Sequence, residues 1–484
     1  MNAQLIIEEP LDPATVRLGI RAAERPDLRG RRVLVLGLGE TGVSAARFLA
    51  TRGAQVCLQD DAPEGALAPS LARVEGLIAE SRVGGAVWPG LEGFDLVLPS
   101  PGVPATAPLL IAAAREGVPV WSEIELASRF LDVPLIAVTG SNGKSTTTTL
   151  IGEMMRAGGG PVFVGGNLGT PLIDCADGSE PAELAVAEIS SFQLEHVESF
   201  RPGIALLLNL SEDHLDRHGS FEAYVAAKAR IFARQADDDV LIYNADDAGV
   251  AALARTAPAR RLPFSLSGSL SGSLSGAGPE AGDEGISLQG DSLLLRLSGA
   301  EERYPVNEIR IQGAQNIENA MAAVLAARVA GASPDLVRRI LGEFPGLPHR
   351  LERVRVVDGV AYYDDSKATN PGAAVRAITG FSSPVILIAG GKDKACRFEP
   401  LREAVSRHAR AVVLIGEAAP RIKQALGGVV PCIMAQGMAD AVAKAHETAE
   451  PGDIVLLAPA CASFDMFSGY AARGERFAAV VRSL

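Results

Sequence analysis

Val138-Thr139-Gly140-Ser141-Asn142-Gly143-Lys144-Ser145-Thr146 follows an apolar stretch, Pro134 to Val138, and opens a helix-forming one, Lys144 to Ala157. Strand, glycine-bearing loop, Lys-Ser and helix, in that order, make a grip for nucleotide phosphates. Small residues let backbone N–H groups face the phosphates, and the helix N-terminus adds partial positive charge. Lys144 can neutralise the β- and γ-phosphates, and the Ser145 hydroxyl can join a Mg²⁺ shell. Five positions before Gly143 the general P-loop has glycine, but this chain has Val138, so the loop is of a shorter type. A simple capped helix start would explain neither Lys144 nor the preceding strand.

Outward from this loop, the 484 residues suggest two to four domains at ~150 residues each. With 48% hydrophobic and 21% charged residues, the chain can bury large cores. A formal net charge of −13 argues against nucleic-acid partners, which call for basic patches. Cys57, Cys175, Cys396, Cys432 and Cys461 form no Cys-x-x-Cys pair and read as buried hydrophobes of a reducing compartment. No stretch approaches ~18 uninterrupted apolar residues, so no membrane insertion is expected. A cytoplasmic monomer is the expected form.

Strand and helix patterns alternate along most of the chain. The first unit reads as strands at Arg32–Leu36, Gln55–Gln59, Asp95–Leu98 and Val118–Trp121, with helices at Gly42–Arg52, Pro108–Glu116 and Glu123–Phe130. Such alternation implies a parallel, doubly wound sheet. The second unit starts near Pro134 with the P-loop. It includes strands Ala182–Ile189 and Ile204–Leu210, a helix at Phe221–Gln235, a hairpin turning at Gly290-Asp291, and helices Gln315–Ala330 and Pro334–Glu343. A third unit opens with a hairpin at Asp358-Gly359 and continues with strands Pro384–Ala389, Ala411–Ile415 and Asp453–Leu457. The expected layout is a leader at 1–30, then domains at 31–133, 134–346 and 347–484. Ser-Leu-Ser-Gly repeats from Ser265 to Gly276 place a Gly/Ser-rich insertion at 264–285, flexible by composition and without a catalytic role.

Several clusters carry chemistry. Gly37-Leu38-Gly39-Glu40-Thr41-Gly42, with Asp60 near the end of the next strand, is a dinucleotide fingerprint that fits UDP as well as NAD. Glu188, at a strand end near the P-loop, suits a Mg²⁺ ligand. His214 sits in the acidic run Ser211 to Arg217 and reads either as a metal ligand or as a structural histidine. Lys228, on an Ala-rich helix, reads by itself as a surface lysine. Arg350 can clamp a transferred phosphoryl group. The loops at Tyr363–Asn370, Gly390–Lys394 and Pro459–Asp465 follow strands of the third sheet, where open α/β sheets place ligands.

Taken together, Gly140 to Thr146, Glu188 to Leu194, Asp213 to Arg217, Pro348 to Arg350, Asp365 to Asn370 and Pro459 to Ser463 resemble the Mur ligase family of ATP-dependent peptidoglycan-precursor enzymes. The resemblance spans about residues 31 to 484. It implies an α/β fold of three domains: a Rossmann-like UDP-binding domain, a central P-loop ATPase domain with a mostly parallel sheet, and a Rossmann-like C-terminal domain. The Ser-Ser-Phe-Gln and Asp-Ser-Lys-Ala-Thr-Asn runs favour the branch that adds D-glutamate to UDP-N-acetylmuramoyl-L-alanine through an acyl phosphate. By motif match, Gly140, Ser141, Asn142, Gly143, Lys144, Ser145, Thr146, Asn316, Arg350 and Asp365 would bind ATP. Ser145, Glu188, His214 and Lys228 would serve Mg²⁺, with Lys228 carbamylated. Lys144, His214, Lys228 and Arg350 would be catalytic. Gly39, Thr41, Asp60, Asn167, Ser190 and Gln193 would contact the UDP substrate, and Thr369, Lys394, Ser463 and Tyr470 D-glutamate. Substrates on different domains imply domain movement, expected about both junctions, near Pro134 and near Gly346. A sibling ligase, a nicotinamide-dependent oxidoreductase and a nucleotide sensor are the alternative readings.

Overall fold

A computed structural model describes residues 19–20, 25–179, 181–268, 284–311, 313–393 and 396–484. Most of the leader, residues 269–283 of the expected insertion, and Lys394 lie outside the described residues. The insertion is shorter than 264–285, because Phe264 and Ser265 are buried in the strand Arg260–Ser265 and Gly285 opens the strand Gly285–Gln289.

Three sheets organise the chain. The first has four parallel strands in the order Glu80–Val83, Gln55–Asp60, Arg32–Leu36, Leu96–Pro99. Their buried residues are nearly all aliphatic, as a sheet covered on both faces requires. The glycine turn after Arg32–Leu36 is held by close packing. A Cβ at Gly42 would sit 2.0 Å from the Gly37 carbonyl oxygen. Backbone cannot yield as a side chain can, so Gly42→Ala is expected to destabilise this domain on the order of 2 kcal/mol. Thermal unfolding would read this as an earlier transition, and an unchanged transition would refute it.

The central sheet has nine strands, of which the seven from Gly285–Gln289 to the Val162–Gly166 edge run parallel. Ser292–Leu297 and Ala300–Pro305 add an antiparallel edge, starting with the hairpin at Gly290-Asp291. The strand Leu135–Thr139 lies between Leu184–Glu188 and Ile204–Leu207, with Val138 paired to both Glu188 and Leu206. That register brings the P-loop, Glu188 and the Asn209–His214 loop together at the C-terminal ends of three adjacent strands. The third sheet has six strands, with one antiparallel pair formed by the hairpin at Asp358-Gly359. Val360–Asp364 of that hairpin runs parallel to the four remaining strands, so the Asp364–Asn370 loop after it and the Pro459–Ser463 loop after Ile454–Leu457 reach the same end.

Three expected elements differ. Val118–Trp121 forms no strand, and only Val120 bridges to Val97. Pro119 removes a ladder donor there. The helix from Phe221 ends at Ala229 rather than Gln235, and turns follow it. The first helix begins at Glu40, inside the glycine motif.

The two domain junctions are built differently. One hydrophobic core runs through the first junction, joining Phe48, Leu49, Ile124 and Leu126 to Leu135, Phe163, Leu172 and Phe200. The fully buried Glu125 carboxylate accepts backbone N–H bonds from Glu198, Ser199 and Phe200 and a hydroxyl bond from Ser199. The second junction is crossed by polar contacts, including Asn370 to Asp213 at 3.0 Å and an Arg376–Glu318 ion pair at 3.5 Å. The apolar cores on its two sides are separate. Movement at the first junction would tear a continuous core, whereas movement at the second exchanges hydrogen bonds with water.

Candidate active site

The P-loop is braced from below. The Asn209 side chain accepts from the Asn142 N–H at 2.8 Å and donates to the Asn142 carbonyl at 3.0 Å. Gly143 has φ 87°, and a Cβ there would lie 2.2 Å from Asn319 Oδ1. The loop therefore needs glycine for both conformation and space. Lys144 Nζ donates to the Gly140 and Ser141 carbonyls at 2.9 and 3.0 Å, folding over the loop that would receive phosphates.

Glu188 is 4% exposed and sits against the helix start. Its carboxylate accepts from Ser145 Oγ at 2.5 Å and from Asn167 Nδ2 at 2.7 Å. Burial pushes this carboxyl up, but Lys144, Ser145, Asn167 and Arg350 outweigh it and hold it below its ordinary value. It is therefore an anion beside the Ser145 hydroxyl, an oxygen pair of the kind that could hold a divalent cation. Arg350 reaches across the second junction and donates from Nη2 to Ser145 Oγ at 2.8 Å. Its backbone is fixed by His349, whose Nδ1 lies 2.7 Å from Asp364 Oδ2. Gly474 makes room for that pair, since a Cβ there would meet His349 Nδ1 at 2.2 Å.

Lys228 is 1% exposed, beneath the loop. Its Nζ donates to the Gly140 carbonyl at 2.8 Å and lies 4.8 Å from the Tyr224 ring centroid. Burial, and then Lys144, push its pKa well below the usual lysine value, against opposing pulls from Asp213 and Glu188. The surface reading of this residue is wrong, because the helix packs its Lys228 face under the P-loop. His214 has φ 53° and packs edge-on to Phe192, with ring centroids 4.8 Å apart. Among the described residues, the one group of three His, Cys, Asp or Glu ligand atoms within 4.8 Å is His349, Glu352 and Asp364, so Glu188 and His214 belong to no preformed cluster of that kind.

One cleft collects Ser141 through Ser145, Asn167, Glu188, Ser190, His214, Lys228, Arg350 and Thr369. A neighbouring pocket holds Thr146, Asn316 and Asp365 beside Asn142 and Gly143. Burial pushes Asp365 up to about 7, against the pull of Arg350. Gly39, Thr41 and Asp60 line a separate cavity of about 890 Å³ in the first domain. There Asp60 accepts from the backbone N–H groups of Leu38 and Ala62, tying the glycine turn to the next loop. Gln193 is buried in a capping box with Ser190 and lines none of these cavities. Ser463 is buried and Tyr470 stacks under Lys367, both outside the lining of the main cleft. Asn209 and Asn319, which brace the loop, and Lys367, which lines the cleft, were not singled out from sequence. Only a long-range pairing pattern could have marked the two asparagines. Lys367 lies within a loop already marked by its density of polar groups.

Fold and cleft are those of a three-domain α/β protein with a P-loop at a domain junction. Residues 31–122 match the Mur ligase MurD-like N-terminal domain, 138–327 the Mur ligase middle domain, and 349–461 the Mur ligase glutamate ligase domain. The chain belongs to the Mur ligase family. It is 46% identical over 458 residues to a UDP-N-acetylmuramoylalanine–D-glutamate ligase of Trichlorobacter lovleyi, covering 95% of this chain and 100% of the relative. It is 45% identical over 461 residues to the enzyme of the same name from Syntrophus aciditrophicus, covering 94% and 99%. Solved structures share the fold. A pseudomurein peptide ligase type C from Methanothermus fervidus aligns with TM-score 0.58 at 16% identity, over 94% of this chain and 100% of that one. A UDP-N-acetylmuramate-alanine ligase from Thermotoga maritima aligns with TM-score 0.54 at 17% identity, over 94% and 99%.

Proposed function

We propose that the chain is an ATP-dependent ligase that joins D-glutamate to UDP-N-acetylmuramoyl-L-alanine in peptidoglycan precursor synthesis. The observation that carries the ATP chemistry is the contact of Arg350, from the third domain, with P-loop Ser145, itself bound to Glu188. Near-full-length identity to D-glutamate ligases supports the choice of amino acid.

In this reading, Gly140 to Thr146 hold the ATP phosphates, and Lys144 and Arg350 offset charge on the γ-phosphoryl group as it passes to the alanyl carboxylate. The bond from the γ-phosphorus to the ADP oxygen breaks, and one to a carboxylate oxygen forms. The D-glutamate amine then attacks the acyl carbon, loses a proton, and phosphate leaves with the amide formed. Asn316 and Asp365 bind the adenosine side. Gly39, Thr41, Asp60, Asn167 and Ser190 follow the UDP substrate from the first cavity to the cleft, with Gln193 fixing Ser190. Thr369, Lys394, Ser463 and Tyr470 receive D-glutamate. A bound Mg²⁺ would supply charge neutralisation at the phosphates. Ser145, Glu188 and His214 would hold it, and a carbamate on Lys228 would add oxygen ligands where the bare amine offers a nitrogen. We assign the domains to 31–133, 134–346 and 347–484, matching the three sheets. A cytoplasmic monomer, with no nucleic-acid partner, completes the reading. Among the described residues no helix is long and apolar enough to cross a membrane.

The test is phosphate release with ATP, Mg²⁺, UDP-N-acetylmuramoyl-L-alanine and single amino acids. Release with D-glutamate alone is expected. Release with another amino acid would move the specificity to a sibling ligase, and ATP binding without release would favour a sensor.

A further inference from the structure

The cleft around the P-loop is polar on nearly every side. Among the described residues lining it, Phe192 is the one whose side chain is pure hydrocarbon. The ring is half-buried and held from two directions. The His214 ring packs edge-on at 4.8 Å, and the Arg217 guanidinium lies 4.4 Å from its centroid. Arg217 is itself locked, bonded to both Glu195 oxygens and donating to the Pro101 carbonyl at 2.9 Å. Pro101 lines the large cavity of the first domain. Phe192 thus lines the phosphate cleft beside His214 and is tied through Arg217 to the wall of the first-domain cavity, on the side from which a substrate arm seated there would enter.

We propose that Phe192 determines specificity at the residue being activated, reading the L-alanine methyl group of the UDP substrate. This rests on the ligase reading above. A fixed aromatic face in a polar cleft favours an apolar group or a cation, and the alanyl end of the substrate, which carries a carboxylate, offers only the first. The alanyl residue carries one such group, one bond from the carbon bearing the reacting carboxylate. A glycyl substrate leaves the ring uncovered by substrate, and a seryl substrate sets a hydroxyl against it without a partner.

The experiment compares kcat/KM for UDP-N-acetylmuramoyl-L-alanine and UDP-N-acetylmuramoyl-glycine, with ATP and D-glutamate, in the unaltered protein, Phe192→Ala and Phe192→Leu. One methyl group in an apolar contact corresponds to about tenfold or more in preference. The unaltered protein is expected to favour alanine by about that factor. Phe192→Ala should reduce the ratio to about threefold or less, chiefly through loss on the alanyl substrate, and Phe192→Leu should retain most of it. Equal losses on both substrates would show that Phe192 only supports His214, overturning the proposal. An unmoved ratio in both variants would overturn it too. Should Phe192→Ala not fold, a ratio unchanged in Phe192→Leu and lowered in Phe192→Ser would support it, and a ratio unchanged in both would overturn it. Failure of the unaltered protein on both substrates would sink the ligase reading itself, a result separate from the others.

Discussion

Lys144→Ala should lower turnover by about a thousandfold or more, equivalent to ~4 kcal/mol of transition-state stabilisation. Lys144 Nζ lies 2.9 and 3.0 Å from two P-loop carbonyls, so its charge is already in the loop where the phosphates would bind. A cation placed where charge moves during phosphoryl transfer acts with little reorganisation. Its removal also takes away one of two cations that keep Glu188 ionised, the other being Arg350. Steady-state phosphate release over a range of ATP concentrations checks the prediction. A fall in kcat is expected, beyond any rise in KM. A variant within tenfold of the unaltered protein would remove Lys144 from phosphate binding. Circular dichroism should be unchanged, since the helix from Lys144 to Arg156 tolerates alanine at its first position.

The parts of this site that were legible in sequence are those built from local chemistry. The P-loop announces itself because an apolar strand, a glycine turn and a helix start are adjacent along the chain. The hairpin at Asp358-Gly359 is equally local: both residues take positive φ, 49° and 78°, as the turn demands. The edge strands Glu80–Val83 and Val162–Gly166 escaped notice for a physical reason. The first is polar and half-exposed, the second ends in two glycines, and neither shows the apolar run of a central strand. The bracing of the loop was hidden too, because Asn209 bonds Asn142 from 67 residues away and Asn319, 176 residues from Gly143, only packs close against it.

Lys228 shows the limit most clearly. Phe221–Ala229 is rich in alanine, with Tyr224, Ala227 and Lys228 buried. On such a helix a lysine ordinarily points to water, and only the resemblance to a family gave it a role. The structure supplies a physical reason for one. An amine sealed from water and facing Lys144 is disfavoured as a cation, so its pKa falls well below the usual lysine value. A neutral amine has a lone pair free to attack CO₂, giving a carbamate with release of one proton. That product would be an anion, which Lys144 would stabilise where it repels the ammonium.

Lys228→Ala is therefore expected to reduce turnover by about a hundredfold or more, through loss of the proposed oxygen ligand and of charge balance under the loop. Lys228→Arg should fall nearly as far, because a guanidinium stays protonated and cannot form a carbamate. Activity alone would not separate this from a packing defect, so the decisive reading is chemical. The unaltered protein, equilibrated with ¹³C-bicarbonate, should show a carbamate carbon resonance that both variants lack. The signal should weaken as pH drops, because acid protonates the amine and reverses carbamate formation. A lost resonance together with lost turnover ties the carbamate to the chemistry. Full turnover without any resonance would show that the buried amine itself, bonded to the Gly140 carbonyl at 2.8 Å, is the working form.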